Sequence, residues 1–461
     1  MEKVSRREAL RRLGIVAGGA VALTALNRNA SAREVDKGYG NNFDRALTAI
    51  TLGAGNRGNV YGSYAINNPT DLNIIGVAEP IVERNNDYAT KHKIRDENRF
   101  VTWEHVLNKP KFADMVIISM PDHLHHEPCI QAMRLGYDVL LEKPMAQTEA
   151  ECREILEVQQ ETGRMVGIAH VLRYAPYFID MRDVVLSGKL GKITNMQHME
   201  PIEYRHMLHS YVRGNWHNSE ATTPIILAKS CHDLDIMRWI LDEPCVELAA
   251  FGELSFYNKE NAPEGSGDRC LTCAVEEGCA YSAKKTYLDD EERLSAIMPI
   301  VPQNAADRRA AIIHSLETTN YGRCAFKMEN DQPEHIAAAF KYESGATATF
   351  SMDGFTSYHS RRTRLMGTKG SLVGDMETFT YTDYLTKKSF TWDVSVTDVA
   401  GYKNSGHGGG DHRFVSDLLN AIYHRDEDLL TSNVAASVES HVQGFRIEIS
   451  RKGGGVQKID V

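Results

Sequence analysis

The chain has 461 residues, of which 42% are hydrophobic and 25% charged, and a formal net charge of -10. That length accommodates two domains, and the acidic balance argues against nucleic acid or an anionic membrane surface as a partner. The eight cysteines are scattered through the sequence, so a dense disulfide framework does not hold the fold together.

In chain order, the first 32 residues read as a targeting segment. Ser5-Arg6-Arg7-Glu8-Ala9-Leu10 is a twin-arginine signature, residues 14–26 are apolar and rich in glycine and alanine, and Ala30-Ser31-Ala32 fits a small-residue cleavage site. The expectation is export of a folded protein to the periplasm, with an uncleaved membrane tether as the rival reading. This segment has six basic and two acidic residues, so the rest of the chain carries about -14. No second stretch is apolar enough to span a bilayer. Residues 33–45, polar and glycine-containing, read as a linker.

From residue 46 short apolar runs alternate with helical patterns. An apolar run over 46–52 leads into Gly53-Ala54-Gly55-Asn56-Arg57-Gly58, and a second run, 72–78, is followed by Glu79. This is the layout of a dinucleotide site. Gly53 permits the tight turn, Gly55 lets a pyrophosphate approach the backbone, and Gly58 lets the next helix pack against the strand. Glu79 stands where a carboxylate accepts hydrogen bonds from the adenosine ribose, which favours NAD over NADP, although Arg84 keeps NADP open. Strands over 72–78, 113–119, 138–141 and 166–169, with a helix over 149–161, predict a doubly wound Rossmann domain spanning 46–170.

Beyond it the periodicity changes. Alternating segments at 193–201, 245–256, 334–342, 346–353, 362–367 and 370–374 predict antiparallel strands, and helical patterns fall at 177–187, 232–241 and 411–423. The expected fold is therefore α/β. An N-terminal Rossmann domain is followed, over 171–461, by a substrate-binding α+β domain with an open, mostly antiparallel sheet and C-terminal helices. One sheet face would carry helices and the site, and the other would serve homo-oligomerisation.

Glu142-Lys143-Pro144 follows the 138–141 strand, where a doubly wound sheet binds ligands, so Lys143 is placed to reach a bound nicotinamide or substrate. Together the glycine turn with Arg57, Pro121-Asp122-His123-Leu124-His125, Glu142-Lys143-Pro144 and Cys231-His232-Asp233-Leu234-Asp235 resemble the glucose-fructose oxidoreductase, inositol dehydrogenase and rhizopine-catabolism (Gfo/Idh/MocA) family. The resemblance implies a sugar oxidoreductase in which Lys143 hydrogen-bonds the reacting hydroxyl and His232 is the general base. It also implies that Pro121, His125 and Glu142 border the cofactor. An imidazole titrating near neutrality suits proton uptake from a carbinol, and a fixed ammonium suits a developing alkoxide.

The chain departs from the family where an aspartate often stands four residues before the histidine, because Ala228 occupies that place. Either Asp235 or another carboxylate substitutes, or the chemistry has shifted toward the NAD-dependent glycosidases among exported relatives. Those enzymes oxidise, eliminate, hydrate and re-reduce with a retained cofactor. Export far from a NAD supply predicts a tightly held cofactor on either reading. Tyr174, Tyr204, His206, Trp216, Lys229, Asp235 and His407 are candidate substrate contacts, since sugars stack on aromatic rings and are fixed by polar groups. Cys270, Cys273, Cys279 and Cys324 could hold a structural zinc, or Cys270 and Cys273 could oxidise.

Overall fold

Six short strands line up in parallel to form the first sheet of the structure, a computed structural model that describes residues 43–396 and 406–460. The twin-arginine segment and most of the expected linker lie outside the described residues. The strands are β1 (Leu47–Leu52), β2 (Leu72–Ala78), β3 (Arg99–Phe100), β4 (Met115–Ile118), β5 (Asp138–Leu141) and β6 (Val166–Ile168), in the order 3-2-1-4-5-6. All five pairings are parallel. β4 and β5 are buried at every position because helices cover both faces, which is why they read as continuous apolar runs. The crossover helices are α1 (Asn56–Asn67), α2 (Val82–His92), α3 (His126–Arg134) and α4 (Glu149–Thr162). A capping box between Thr148 and Glu151 starts α4, and Gly163 in the left-handed conformation stops it. Strand order reverses between β1 and β4, so a crevice opens beyond their carboxyl ends.

The second sheet has nine strands: β7 (Ile193–Pro201), β8 (Cys245–Glu253), β9 (His335–Tyr342), β10 (Thr347–Asp353), β11 (Arg362–Gly367), β12 (Gly370–Gly374), β13 (Thr378–Asp383), β14 (Ser389–Asp393) and β15 (Gln457–Lys458). Their order is 14-13-12-11-7-10-9-8-15, and every pairing is antiparallel except that of β7 with β10. β9 alternates strictly between exposed and buried residues, as expected of a sheet covered on one face. The fold is thus an α/β chain, a Rossmann sheet followed by an open, mostly antiparallel one.

Five longer helices complete it: α5 (Pro176–Leu186), α6 (Cys231–Leu241), α7 (Ala305–Thr318), α8 (Gly410–His424) and α9 (Val434–Gly453). α6 packs on α5, α9 and β7, which fixes its first turn at the boundary between the two sheets. α8 belongs to the second half of the sequence but packs on the first sheet: Phe414 and Leu418 share a core with Leu47, Ala49, Tyr61 and Ile117. α9 contacts both β8 and α4 and so ties the two layers together.

Candidate active site

The glycine turn lies in the crevice beyond β1 and β4. Gly53 has φ +93°, and a Cβ there would stand 2.8 Å from the carbonyl oxygen of Ser119. A Cβ on Gly58 would stand 2.2 Å from the carbonyl oxygen of Gly53, so this glycine is required by the packing of α1 on its own strand. Gly55 is different, because a Cβ there would meet nothing within 4 Å. The N-terminus of α1, which begins at Asn56, has no side-chain cap. Uncapped amides next to open space fit a dinucleotide pyrophosphate. Glu79 closes the turn: its carboxylate accepts from the amides of Ala54 at 2.8 Å and Ile81 at 2.9 Å. Each oxygen keeps a further lone pair that could take a ribose hydroxyl.

Arg57 does not point freely at that space. Its Nε donates to Glu142, and its Nη2 donates to Asp411 at 2.8 Å and to the Tyr61 hydroxyl at 2.6 Å. Burial would raise the Glu142 carboxyl, but Arg57 and Lys143 outweigh it and hold this group below its usual range. Glu142 also accepts the Lys143 amide at 2.8 Å, so the Arg57 cluster fixes the backbone that carries Lys143. Nδ1 of His125 lies 2.7 Å from the Pro144 carbonyl and Nε2 lies 2.9 Å from that of Met120, which ties the loops after β4 and β5 together. Lys143 Nζ donates to the Ala228 carbonyl at 2.6 Å, and among the described residues it has no carboxylate partner.

His232 sits in the first turn of α6, buried, with Nδ1 lacking a hydrogen-bond partner among the described residues. The rings of His170 and His407 lie 6.0 and 5.7 Å from it. Burial, then the charges of Lys143, His407, His170 and Arg361, push the His232 imidazole well below its ordinary range. It is therefore neutral at pH 7, the form that accepts a proton.

The expected substitute carboxylate is absent among the described residues, because none hydrogen-bonds His232. Asp235 is held by Arg173 through two bonds of 2.7 and 2.6 Å, so its carboxylate braces the core. Asp233 is taken by His198 at 3.0 Å and Arg361 at 2.6 Å. Arg361 continues to Glu200 at 2.6 Å, and Glu200 to Lys229 at 3.2 Å. Sequence reasoning missed Glu200 and Arg361. They sit on or beside distant strands without a local motif, and only the pairing of β7 with β11 brings them together.

Of the candidate substrate residues, Lys229 lies two residues before α6, the ring of His407 lies 5.7 Å from that of His232, and the charges of Lys229 and Lys143 act on His206. His407 is linked to Asp411 at 3.1 Å, which places it beside the Arg57 cluster. Trp216 donates its indole N–H to Asp122 at 2.7 Å, Thr223 donates to the same carboxylate at 2.5 Å, and the ring of Tyr211 lies 6.1 Å from that of Trp216. The loop after β4 thus holds the aromatic segment directly. Tyr204 accepts from Arg205 at 3.0 Å. Tyr174 is instead a packing residue: it is buried 5.5 Å from Phe414, its hydroxyl accepting from the Ser432 amide at 3.1 Å.

The zinc expectation is corrected. Among the described residues no group of three or more histidine, cysteine, aspartate or glutamate side chains could hold a metal ion, and all eight cysteines are free thiols. Cys270, Cys273, Cys279 and Cys324 line one cavity of about 20 Å³. Their sulfurs are taken up by the fold itself: Gly267 donates to Cys273 Sγ at 3.3 Å, and Ala283 donates to Cys270 Sγ at 3.4 Å. Burial keeps the Cys279 and Cys324 thiols protonated.

A parallel sheet with a phosphate-ready turn at its switch point and a lysine after its fifth strand, met by a neutral histidine from the second domain, defines a dinucleotide-dependent oxidoreductase. The match to known families is specific. Residues 48–170 match the Gfo/Idh/MocA oxidoreductase family, NAD-binding Rossmann fold, and residues 182–435 match its C-terminal alpha/beta domain, so the chain belongs to that family. It is 26% identical over 324 residues to YteT of Bacillus subtilis, covering 66% of this chain and 72% of that protein. It is 29% identical over 194 residues to 1,5-anhydro-D-fructose reductase of Ensifer adhaerens, spanning 42% of this chain and 56% of the relative. An inositol dehydrogenase homologue from Azotobacter vinelandii, solved with NAD+, shares the fold with a TM-score of 0.66 at 13% identity. That alignment covers 91% of this chain and 99% of the other.

Proposed function

We propose that the protein is an exported NAD-dependent dehydrogenase that oxidises a secondary hydroxyl of a sugar or polyol. The observation that carries this reading is the convergence of Lys143 Nζ, bonded at 2.6 Å to the turn before α6, with the neutral His232 in the first turn of that helix. When bound, the nicotinamide supplies the hydride acceptor. His232 takes the hydroxyl proton, Lys143 stabilises the alkoxide that develops, and Arg57, Glu142 and Asp411 hold the Lys143 loop still. The names of the reductase and the inositol dehydrogenase homologue support a sugar or polyol substrate. Glu79 at the end of β2 favours NAD, since it would repel a 2′-phosphate. The outer face of the second sheet is the proposed homo-oligomer interface, and the twin-arginine segment the basis for export. Among the described residues no helix is long and apolar enough to cross a membrane.

The test is to denature the purified protein, identify any released nucleotide, then follow NADH formation with a panel of sugars and polyols. Stoichiometric NADH with a ketone product supports net oxidation. Release of an aglycone from aryl glycosides without net NADH would instead establish the glycosidase cycle. That no carboxylate among the described residues hydrogen-bonds His232 favours that second reading, because removal of a proton beside a ketone needs only a modest base.

A further inference from the structure

Both nitrogens of His170 are buried without a hydrogen-bond partner among the described residues, and so is Nδ1 of His232. A buried nitrogen goes unpaired only at a cost, so three of them in neighbouring rings call for a shared partner. The backbone explains how the rings meet. His170 follows β6 and opens the short turn Val171–Tyr174, in which Arg173 holds Asp235 of α6. Asp235 lies three residues after His232, so both side chains stand on one face of α6, and both meet this turn. The His170 ring lies 6.0 Å from that of His232, edge to face at 79°. Its Nε2 lies 3.9 Å from Oδ1 of Asp235.

The other neighbouring imidazoles are committed. His441, 5.5 Å from His170, accepts the Met145 amide on Nε2 at 2.9 Å, so its N–H is on Nδ1 and goes to the Ser437 carbonyl at 2.7 Å. His407 is 36% exposed and its Nδ1 is taken by Asp411, whereas His170 is wholly buried, like the nitrogen it would serve. Burial, then Arg173 and Lys143, push the His170 imidazole well below its ordinary range. Like His232 it is neutral, with one N–H and one lone pair. The Asp235 carboxylate decides which nitrogen has which, because it attracts an N–H and repels a lone pair. The N–H of His170 is therefore on Nε2, and Nδ1 is left as an acceptor.

We propose that His170 is the positioning residue of the base: its Nδ1 accepts, through one bridging water, the N–H that His232 carries on Nδ1, where Ala228 offers no side-chain acceptor. The proposal rests on the dehydrogenase reading given above and adds the group that orients its base. A ring separation of 6.0 Å is too long for a direct bond and suits one water between the nitrogens. With its proton fixed on Nδ1, His232 presents a lone pair on Nε2 to the sugar hydroxyl. The hydroxyl proton moves to Nε2, and His170 gains none. It strengthens its hold as His232 becomes an imidazolium, because a hydrogen bond from a charged donor is the stronger kind.

The test reads the two rings directly, by nitrogen NMR of the whole protein with labelled histidine, the signals assigned by their loss in His232→Asn and His170→Asn. The native protein should show His232 protonated on Nδ1 and His170 on Nε2, and His170→Phe should leave His232 a mixture of tautomers. His232 protonated on Nε2 in the native protein, or unmoved by His170→Phe, would overturn the proposal. In steady-state kinetics His170→Phe should lower kcat about 10- to 100-fold, the worth of one hydrogen bond to a charged group, with the sugar KM unchanged. His170→Gln, whose amide oxygen can accept, should restore part of that loss. A purely structural role would instead lower Tm and raise KM, with glutamine no better than phenylalanine. If neither variant folds, the tautomers of the native protein decide. If no sugar yields NADH, the dehydrogenase reading fails separately, and the tautomers still decide the role of His170.

Discussion

The two outer glycines of the turn are required by the fold, the middle one is proposed to serve the ligand, and a pair of alanine substitutions separates these roles. In Gly58→Ala the new methyl would lie 2.2 Å from the backbone oxygen of Gly53, which cannot rotate aside, so α1 must lift from β1. Overpacking of this kind costs about 1–3 kcal/mol, or about one to three degrees in Tm for a protein of this size. In Gly55→Ala the methyl enters open space and φ is -75°, so the backbone needs no change. Its cost to the empty protein is limited to the weaker capping of alanine, about 1 kcal/mol or less. On the proposed placement, that same methyl occupies the ground where the pyrophosphate meets the backbone. A comparable steric cost of about 1–3 kcal/mol there lowers NAD affinity roughly 5- to 150-fold. The assay is calorimetric titration of NAD into protein freed of nucleotide, beside the thermal transition of the same samples. Gly55→Ala with native stability and undiminished NAD affinity would refute the placement of the pyrophosphate.

Other outcomes follow from the same geometry. His232→Asn and Lys143→Met should each lower kcat/KM by about 10²–10⁴, read from steady-state kinetics. Because burial and then positive neighbours depress the His232 imidazole, the acidic limb of the kcat/KM profile lies below its ordinary pKa of 6.5. His407→Asn should move that limb to higher pH, and a limb that stays or moves down would show that His232 is not the base. Asp235→Asn should cost about 3–5 kcal/mol in urea unfolding, the usual result of breaking a buried pair, whereas a loss of turnover at full stability would return Asp235 to the chemistry. Burial also lowers His441, to about 3, so the unfolded chain binds more protons than the folded one between pH 6.5 and about 3. Stability should therefore fall as pH drops through that window, measured by urea titrations at successive pH values.

What could be read in advance was whatever is encoded locally. β2, β5, β7, β11 and β12 begin and end where their sequence patterns do, because apolar runs or strict alternation are bounded by turn residues. α9 was harder to read. Its inner surface includes Ser437, Ser440, His441 and Gln443 as well as Val434, Val438 and Val442, so the apolar stripe is diluted by buried polar groups. At its Gly444 the Leu227 side chain lies 2.5 Å from where a Cβ would stand, a close approach no local pattern states. At the site, Lys143 and His232 were visible as motifs. The partners of Asp235 and Arg57 were not, since they come from residues 62 and 354 positions away. Tyr174 shows the converse error, in which an aromatic next to a strand end is as useful to the core as to a cleft.

α8 crosses back to the first sheet after the whole second sheet has been laid down, and this has a consequence for how the protein is made. The nucleotide half is not a module that can be completed early and left waiting. Its core lacks Phe414 and Leu418, and Arg57 lacks Asp411, until synthesis has passed the whole second sheet. The nucleotide half is therefore completed only after the second sheet, and a fragment ending before α8 would be left with an open, apolar sheet face.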